Sequence, residues 1–219
     1  MLEKIIKNRR SISKFKTDQV EADVLDEIIS LSAYAPSSCN TQPWRFLIFS
    51  SDESKEKLNK HIALGYERMK VDLSEKKILG KVYENLLTFF AQYGKFDDAP
   101  VYFLVFAKKY DAPVFSQAIQ FSKNVKIEKI AQESVETSVA MAMQNFLLVA
   151  HEKGLGARVK DGIKFLLEFE DLKKAFYEDF GIEQEWKLIS GIQIGYPLDS
   201  EKNQKPKTRR PLNEIRNFV

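Results

Sequence analysis

Apolar residues recur at helical spacing near the start of the chain and later give way to short continuous runs. Leu2, Ile5 and Ile6 share one face of a short helix over residues 2–8. Val24, Leu25, Ile28 and Leu31 do the same over residues 22–34. Asp23, Asp26 and Glu27 lie in the early turns of this second helix, where the helix dipole favours acids, and it stops before Pro36. Phe46, Leu47, Ile48 and Phe49 predict a strand over Arg45–Ser50. Residues 53–96 are charged and helix-prone, with Gly65, Gly80 and Gly94 as the expected breaks. Val101 to Phe106 predict a buried strand over Ala99–Ala107. Residues 128–152 give the longest helix, in which Val135, Val139, Ala142, Phe146 and Val149 form one stripe. Ala140, Met143 and Leu147 form an adjacent stripe, and this width predicts burial nearly all round. One or two amphipathic helices follow over residues 164–180, then a third strand over Lys187–Tyr196, and Pro197 opens a polar tail. No repeat or linker divides the pattern. It predicts a single α+β domain over residues 1–219, a small sheet inside many helices.

Composition narrows the function classes. With 219 residues, 44% of them hydrophobic, the chain can build a large core, and its 16 phenylalanines argue against disorder. The net charge is +3, from 34 basic and 31 acidic residues, too near balance for a dedicated nucleic-acid binder. One cysteine excludes an intramolecular disulfide and a cysteine-based zinc site, and two histidines leave little for a histidine-rich metal site. No apolar leader or membrane-length run is present, so a soluble cytoplasmic protein is expected, with neither membrane nor nucleic acid as partner.

The polar positions carry the candidate chemistry. Arg9-Arg10-Ser11-Ile12-Ser13-Lys14-Phe15 puts charge and hydroxyls at the end of the first helix. Ala35-Pro36-Ser37-Ser38-Cys39-Asn40-Thr41-Gln42-Pro43-Trp44 is a loop of hydrogen-bonding groups pinned by two prolines and a tryptophan. Lys207-Thr208-Arg209-Arg210-Pro211 is a third cluster at the far end. Alone, each basic cluster reads as a solvated segment. Together they supply a cationic clamp and a polar cradle, which suit a phosphorylated planar cofactor. Gly154-Leu155-Gly156 follows a helix and has Val159 where a dinucleotide fingerprint needs its third glycine, so that reading fails. Cys39 has no motif-linked base and is passive. His151 is expected as a dipole partner at a helix end, and His61, among charges, is expected in solvent.

In order and spacing these segments resemble the FMN-dependent nitroreductase family. The resemblance continues at Gln144-Asn145-Phe146-Leu147-Leu148, Gly154-Leu155-Gly156, Ile194-Gly195-Tyr196-Pro197 and Lys207-Thr208-Arg209. It spans nearly the whole chain and is least specific over residues 53–130. It implies a small, mostly antiparallel sheet surrounded by helices, in an intertwined homodimer with two shared sites. The wide apolar stripe of residues 128–152 fits such an interface or a central core helix equally well. The resemblance also implies FMN as cofactor and NADH or NADPH as co-substrate. Arg9, Arg10 and Ser11, with Ser13 in the same motif, match the N-terminal part of the phosphate and ribityl site, and Lys207 and Arg209 its C-terminal half. Pro36, Ser37, Ser38, Asn40 and Gln42 match the loop that reaches the flavin from the other subunit. Asp161 and Gly162 match the segment whose backbone N–H groups lie beside flavin N5.

Two departures stand out. Ser13 occupies the position of the motif's second basic residue. The run Ala157-Arg158-Val159-Lys160-Asp161 is more charged than its family counterpart. Phe89, Phe90, Tyr93 and Phe96 fall in the region that shapes the substrate pocket in the family, or else pack in the core. The implied activity passes hydride from NAD(P)H through flavin N5 to an electron-poor acceptor such as a nitroarene or quinone, with no side chain as acid or base. The same scaffold resembles relatives that fragment reduced flavin or dehalogenate reductively, and a flavin-binding protein without nicotinamide turnover is the alternative outside enzymes.

Overall fold

The continuous apolar run at residues 101–106 becomes the middle of a sheet covered on both faces. The computed structural model describes residues 1–96, 98–109, 117, 120, 121, 125–202 and 207–218. Four strands, β1 (Trp44–Phe49), β2 (Val101–Lys108), β3 (Gly156–Lys160) and β4 (Trp186–Gly195), form one sheet in the order β1-β2-β4-β3. Every neighbouring pair is antiparallel. Along β2 the side chains alternate. Val101, Phe103, Val105 and Ala107 enter one core, and Tyr102, Leu104 and Phe106 enter the other. A bulge between Val105 and Phe106 pairs them with Ser190 and Leu188, leaving Ile189 as the extra residue of β4. The bulge reverses the alternation of β4, so that Leu188 lies in one core while Ile192 and Ile194 lie in the other.

The helices divide between the two faces. Among the described residues they are α1 (Leu2–Asn8), α2 (Ala22–Ser32), α3 (Asp52–Glu75), α4 (Gly80–Gly94), α5 (Val125–Glu152), α6 (Ile163–Leu166), α7 (Glu170–Phe180), α8 (Asp199–Lys202) and α9 (Leu212–Ile215). Leu25 and Ile28 of α2 pack with Val135, Val139 and Phe146 of α5 on one face. Leu58 and Ile62 of α3, Phe90 of α4, Leu166 of α6 and Phe176 of α7 fill the other. No helix among the described residues is long and apolar enough to cross a membrane.

The structure departs from the sequence pattern in four places. Gly65 does not break a helix: α3 runs through it because its missing side chain admits the backbone of Leu166. The sheet has four strands rather than three, the addition being β3. In the single chain α5 is buried on one side only. Ala131, Val135, Val139, Ala142, Phe146 and Ala150 face the sheet, whereas Ile130, Thr137, Ala140 and Gln144 are exposed. His61 is buried rather than solvated, with Nε2 2.8 Å from Asp179 Oδ2 and its ring packed against Phe176 and Phe180. The last turn of α7 supplies that acid and both rings, and sequence spacing does not reveal the contact.

Candidate functional site

The N-terminal motif is laid across one end of the sheet. α1 ends at Arg9, whose backbone turns extended (φ −54°, ψ 132°). Beyond it, Ser11 forms a parallel bridge with Ala157, and the Ile12 N–H donates to the Ala157 carbonyl at 3.1 Å. The Lys16 N–H donates to the Tyr196 carbonyl at 2.8 Å, and the Leu198 N–H donates to the Lys14 carbonyl at 3.1 Å. Gly154 and Gly156 make this docking possible. Gly154, with φ +77°, ends α5 as the Leu155 N–H returns to the Ala150 carbonyl at 2.9 Å. A Cβ on Gly156 would lie 2.7 Å from the Ile12 side chain. The Gly-Leu-Gly run is thus a helix stop and a close approach. Ile12 is buried, so backbone alternation leaves Ser11 and Ser13 on the opposite side.

That side opens on a cavity of about 440 Å³ lined by Arg9, Arg10, Ser11, Ser13, Gln92, Tyr93, Arg158, Val159, Lys207 and Arg209. Its volume lies in the range of small-molecule sites. The structure therefore brings the two ends of the chain together. Arg9 is held below the ordinary arginine value, first by burial, then by Arg10 and then by Arg209. Arg10 turns back to cap α1, its Nη1 donating to the Lys7 carbonyl at 2.6 Å and the Arg9 carbonyl at 2.8 Å. Its Nε is buried with no hydrogen-bond partner. His151, near the end of α5, is pushed below the usual imidazole range by burial and then by Arg9 and Arg10. Its expected role as a cationic dipole partner is therefore opposed by the adjacent arginines. This crowding of positive charge favours an anion with several acceptor oxygens, as a phosphate has.

The facing wall comes from α4 and β3. Lys160 is fully buried, and its Nζ donates to the Gln92 carbonyl at 2.9 Å. Gly162 packs so tightly on the end of α4 that a Cβ would lie 2.8 Å from the Gly94 nitrogen. These two contacts set Gln92 and Tyr93 at the cavity. Gln92, Arg158 and Val159 were not legible as cavity residues. Gln92 stands beside Tyr93 in a helix that reads as generic, and the charged run at 157–161 was the only signal for the other two. Asp161 and Gly162 do not line this cavity, and the Asp161 carboxylate accepts from Ser190 Oγ at 2.7 Å.

The Pro36–Trp44 loop also lies outside the cavity in the single chain. Cys39, Asn40 and Gln42 take left-handed backbone, with φ of 52°, 53° and 46°. Such geometry costs on the order of 1 kcal/mol per residue. It is held by the Gln42 N–H donating to Ser37 Oγ at 3.0 Å and by Thr41 donating twice to the Ser38 carbonyl. The Ser38 N–H donates to Ser138 Oγ of α5 at 3.4 Å. The loop is thus fixed to α5, while Pro36, Asn40 and Gln42 are exposed and Ser37 and Ser38 half-buried. No cluster of three or more metal-ligating side chains occurs among the described residues.

An antiparallel sheet flanked by helices, with cations from distant parts of the chain lining one cavity, defines an α+β scaffold with a site suited to an anion. The model of the Nitroreductase family matches residues 6–196, and the chain belongs to that family. It is similar to YfhC of Bacillus subtilis (strain 168), provisionally named an NAD(P)H nitroreductase: 28% identity over 98% of this chain and 92% of the relative. An iodotyrosine deiodinase of Thermotoga neapolitana is 29% identical over 98% of this chain and 95% of its own length. Among solved structures, a BluB-like flavoprotein from Clostridium difficile 630 superposes with a TM-score of 0.78, at 24% identity, over 100% of this chain and 99% of its own.

Proposed function

We propose that this protein binds FMN in the clamp built from Arg9, Arg10, Ser11, Lys207 and Arg209 and uses it to transfer reducing equivalents from NADH or NADPH to an electron-poor acceptor such as a nitroarene or quinone. The observation that carries this reading is the convergence of amino- and carboxy-terminal cations on one cavity that holds the unpartnered Arg10 Nε. When bound, the flavin supplies the redox chemistry, accepting hydride at N5 and yielding it to the acceptor. The chain's own residues bind and orient. Arg9, Arg10, Lys207 and Arg209 neutralise the phosphate, with Ser11 and Ser13 offering hydroxyls along the ribityl stretch. Asp161 and Gly162 are proposed at the N5 edge through their backbone N–H groups. No side chain is required as acid or base, and solvent provides the protons.

The loop residues Pro36, Ser37, Ser38, Asn40 and Gln42 are proposed to serve the site of a second copy. Two features support a homodimer. The loop is rigidly built yet lies away from its own cavity. Leu2, Ile6 and Leu31 are more than one-third exposed beside a groove lined by Ile5, Leu148 and Val149. A cytoplasmic location is part of this proposal.

The deiodinase relative favours one other reading, reductive dehalogenation of a halogenated phenol. A single experiment separates the two. Purified protein is loaded with FMN, reduced anaerobically with NADH or NADPH, and offered a nitroarene, a quinone or an iodophenol. Rapid NAD(P)H-dependent reduction and turnover of the nitroarene or quinone is expected. Iodide release alone would move the assignment to the second reading. Protein that stays colourless with added FMN would end both.

A further inference from the structure

We propose that Arg158 is the ring-side cation of this site, stabilising the negative charge that a bound flavin acquires on reduction. This assignment rests on the FMN reading above.

The cavity has five cations, Arg9, Arg10, Arg158, Lys207 and Arg209. A phosphate carries about two negative charges near neutral pH, so four cations from the two chain termini already exceed what it needs. Arg158 is set apart from them by its place in the fold. It projects from β3 and also lines an adjoining cavity of about 450 Å³ with Ser13, Lys14, Phe15, Asp98 and Leu198. None of the other four cations lines that second space. Arg158 therefore marks the end of the site that continues away from the phosphate-type cluster, where the remainder of an elongated cofactor extends.

Its head group is also preorganised. The guanidinium carbon lies 5.2 Å from the centroid of the Tyr93 ring. The Tyr93 ring lies 5.1 Å from that of Phe89, and its backbone is close-packed, since a Cβ on Gly162 would lie 2.8 Å from its carbonyl carbon. A planar cation held on a ring resting on backbone-to-backbone packing needs little reorganisation when charge develops nearby. Two-electron reduction of a flavin leaves negative charge on its N1–C2 carbonyl edge, for which a fixed guanidinium is a suitable partner. Of the two residues that line both spaces, Ser13 and Arg158, only Arg158 carries a charge. Arg158 thus tunes the cofactor's reduction rather than its retention.

The test compares Arg158→Gln, which removes the charge, with Arg158→Lys, which keeps it. The readouts are the dissociation constant for oxidised FMN and the two-electron potential of the bound flavin, measured anaerobically against reference dyes. Arg158→Gln is expected to bind oxidised FMN within about threefold of the native protein. Its affinity for reduced FMN should fall at least about tenfold further than its affinity for oxidised FMN, which for a two-electron couple lowers the potential by about 30 mV. Arg158→Lys should recover most of that loss. An unchanged potential in flavin-loaded Arg158→Gln would overturn the assignment. So would an equal loss of affinity for both redox forms, which would place Arg158 in the phosphate clamp. Should Arg158→Gln not fold, Arg158→Met is judged by the same two readouts. Native protein that takes up no FMN removes the flavin reading itself, an outcome distinct from flavin binding with an unaltered potential.

Discussion

The Arg9 guanidinium is disfavoured by burial and then by the nearby Arg10 and Arg209, an arrangement that a bound anion would relieve. Arg209 comes from the carboxy-terminal segment, where its Nη1 donates to the carbonyls of Lys207 and Thr208, at 3.2 and 3.3 Å. Its removal leaves the core untouched and takes one charge-assisted contact from a bound phosphate. Arg209→Ala is expected to weaken FMN binding by ~1.5–3 kcal/mol, roughly ten- to hundredfold in dissociation constant. Quenching of flavin fluorescence on titration with protein measures this, and unchanged affinity would remove Arg209 from the site. The termini were legible because each cation cluster is a local motif. Arg158 was visible only as an unusual charge, since its place in the cavity depends on a pairing between Ser11 and Ala157 that spans most of the chain. His61 was misjudged for a similar reason: its partner Asp179 lies 118 positions away.

Elements position these residues through close backbone approaches, and glycine marks the tightest ones. At Gly65, α3 crosses the short helix α6 with no room for a methyl group, which would overlap the Leu166 carbonyl. Two effects oppose each other in Gly65→Ala. Helix propensity favours alanine by about 1 kcal/mol. Overpacking against backbone costs about 1–3 kcal/mol or more, because a carbonyl cannot rotate aside as a side-chain end can. The second term wins, so Gly65→Ala is expected to lower stability by about 1–2 kcal/mol, read from the denaturant midpoint at constant slope. A stabilised variant would show that α6 can shift freely. This approach also explains an error of reading. A glycine in a helical pattern looks like a break, and only the crossing partner reveals it as a contact. β3 escaped notice because its five residues include Arg158 and Lys160. One lies against Tyr93 at the cavity, and the other is buried with its amine on the Gln92 carbonyl, so neither follows the apolar pattern of an interior strand. The strands with continuous apolar runs and the long helix α5 were legible within a few residues, since their apolar positions follow a clear period.

At the scale of the whole molecule, the cation-lined cavity and the Pro36–Trp44 loop lie apart in the single chain. The cation clamp and the α4–β3 wall belong to one chain. The Pro36–Trp44 loop lines none of that cavity and is fastened to α5 through Ser38 and Ser138. Around α1, α2 and α5, Leu2, Ile6 and Leu31 are exposed at 63%, 53% and 40% beside Leu148 and Val149. Clustered apolar surface of this kind favours association. A two-fold pairing through it would bury that surface and could bring each loop to the other chain's cavity, so cofactor affinity and assembly become one equilibrium. The variant Leu148→Glu puts a charge in the groove, on a half-buried position outside the cation-lined cavity. It is expected to convert a dimer to a monomer in sedimentation velocity and to weaken FMN binding at least tenfold, with secondary structure retained by circular dichroism. The coupling is the decisive quantity. A folded monomeric variant with undiminished FMN affinity would show that the loop serves no partner's site, whereas loss of both together ties the sharing of the cofactor to the assembly of two chains.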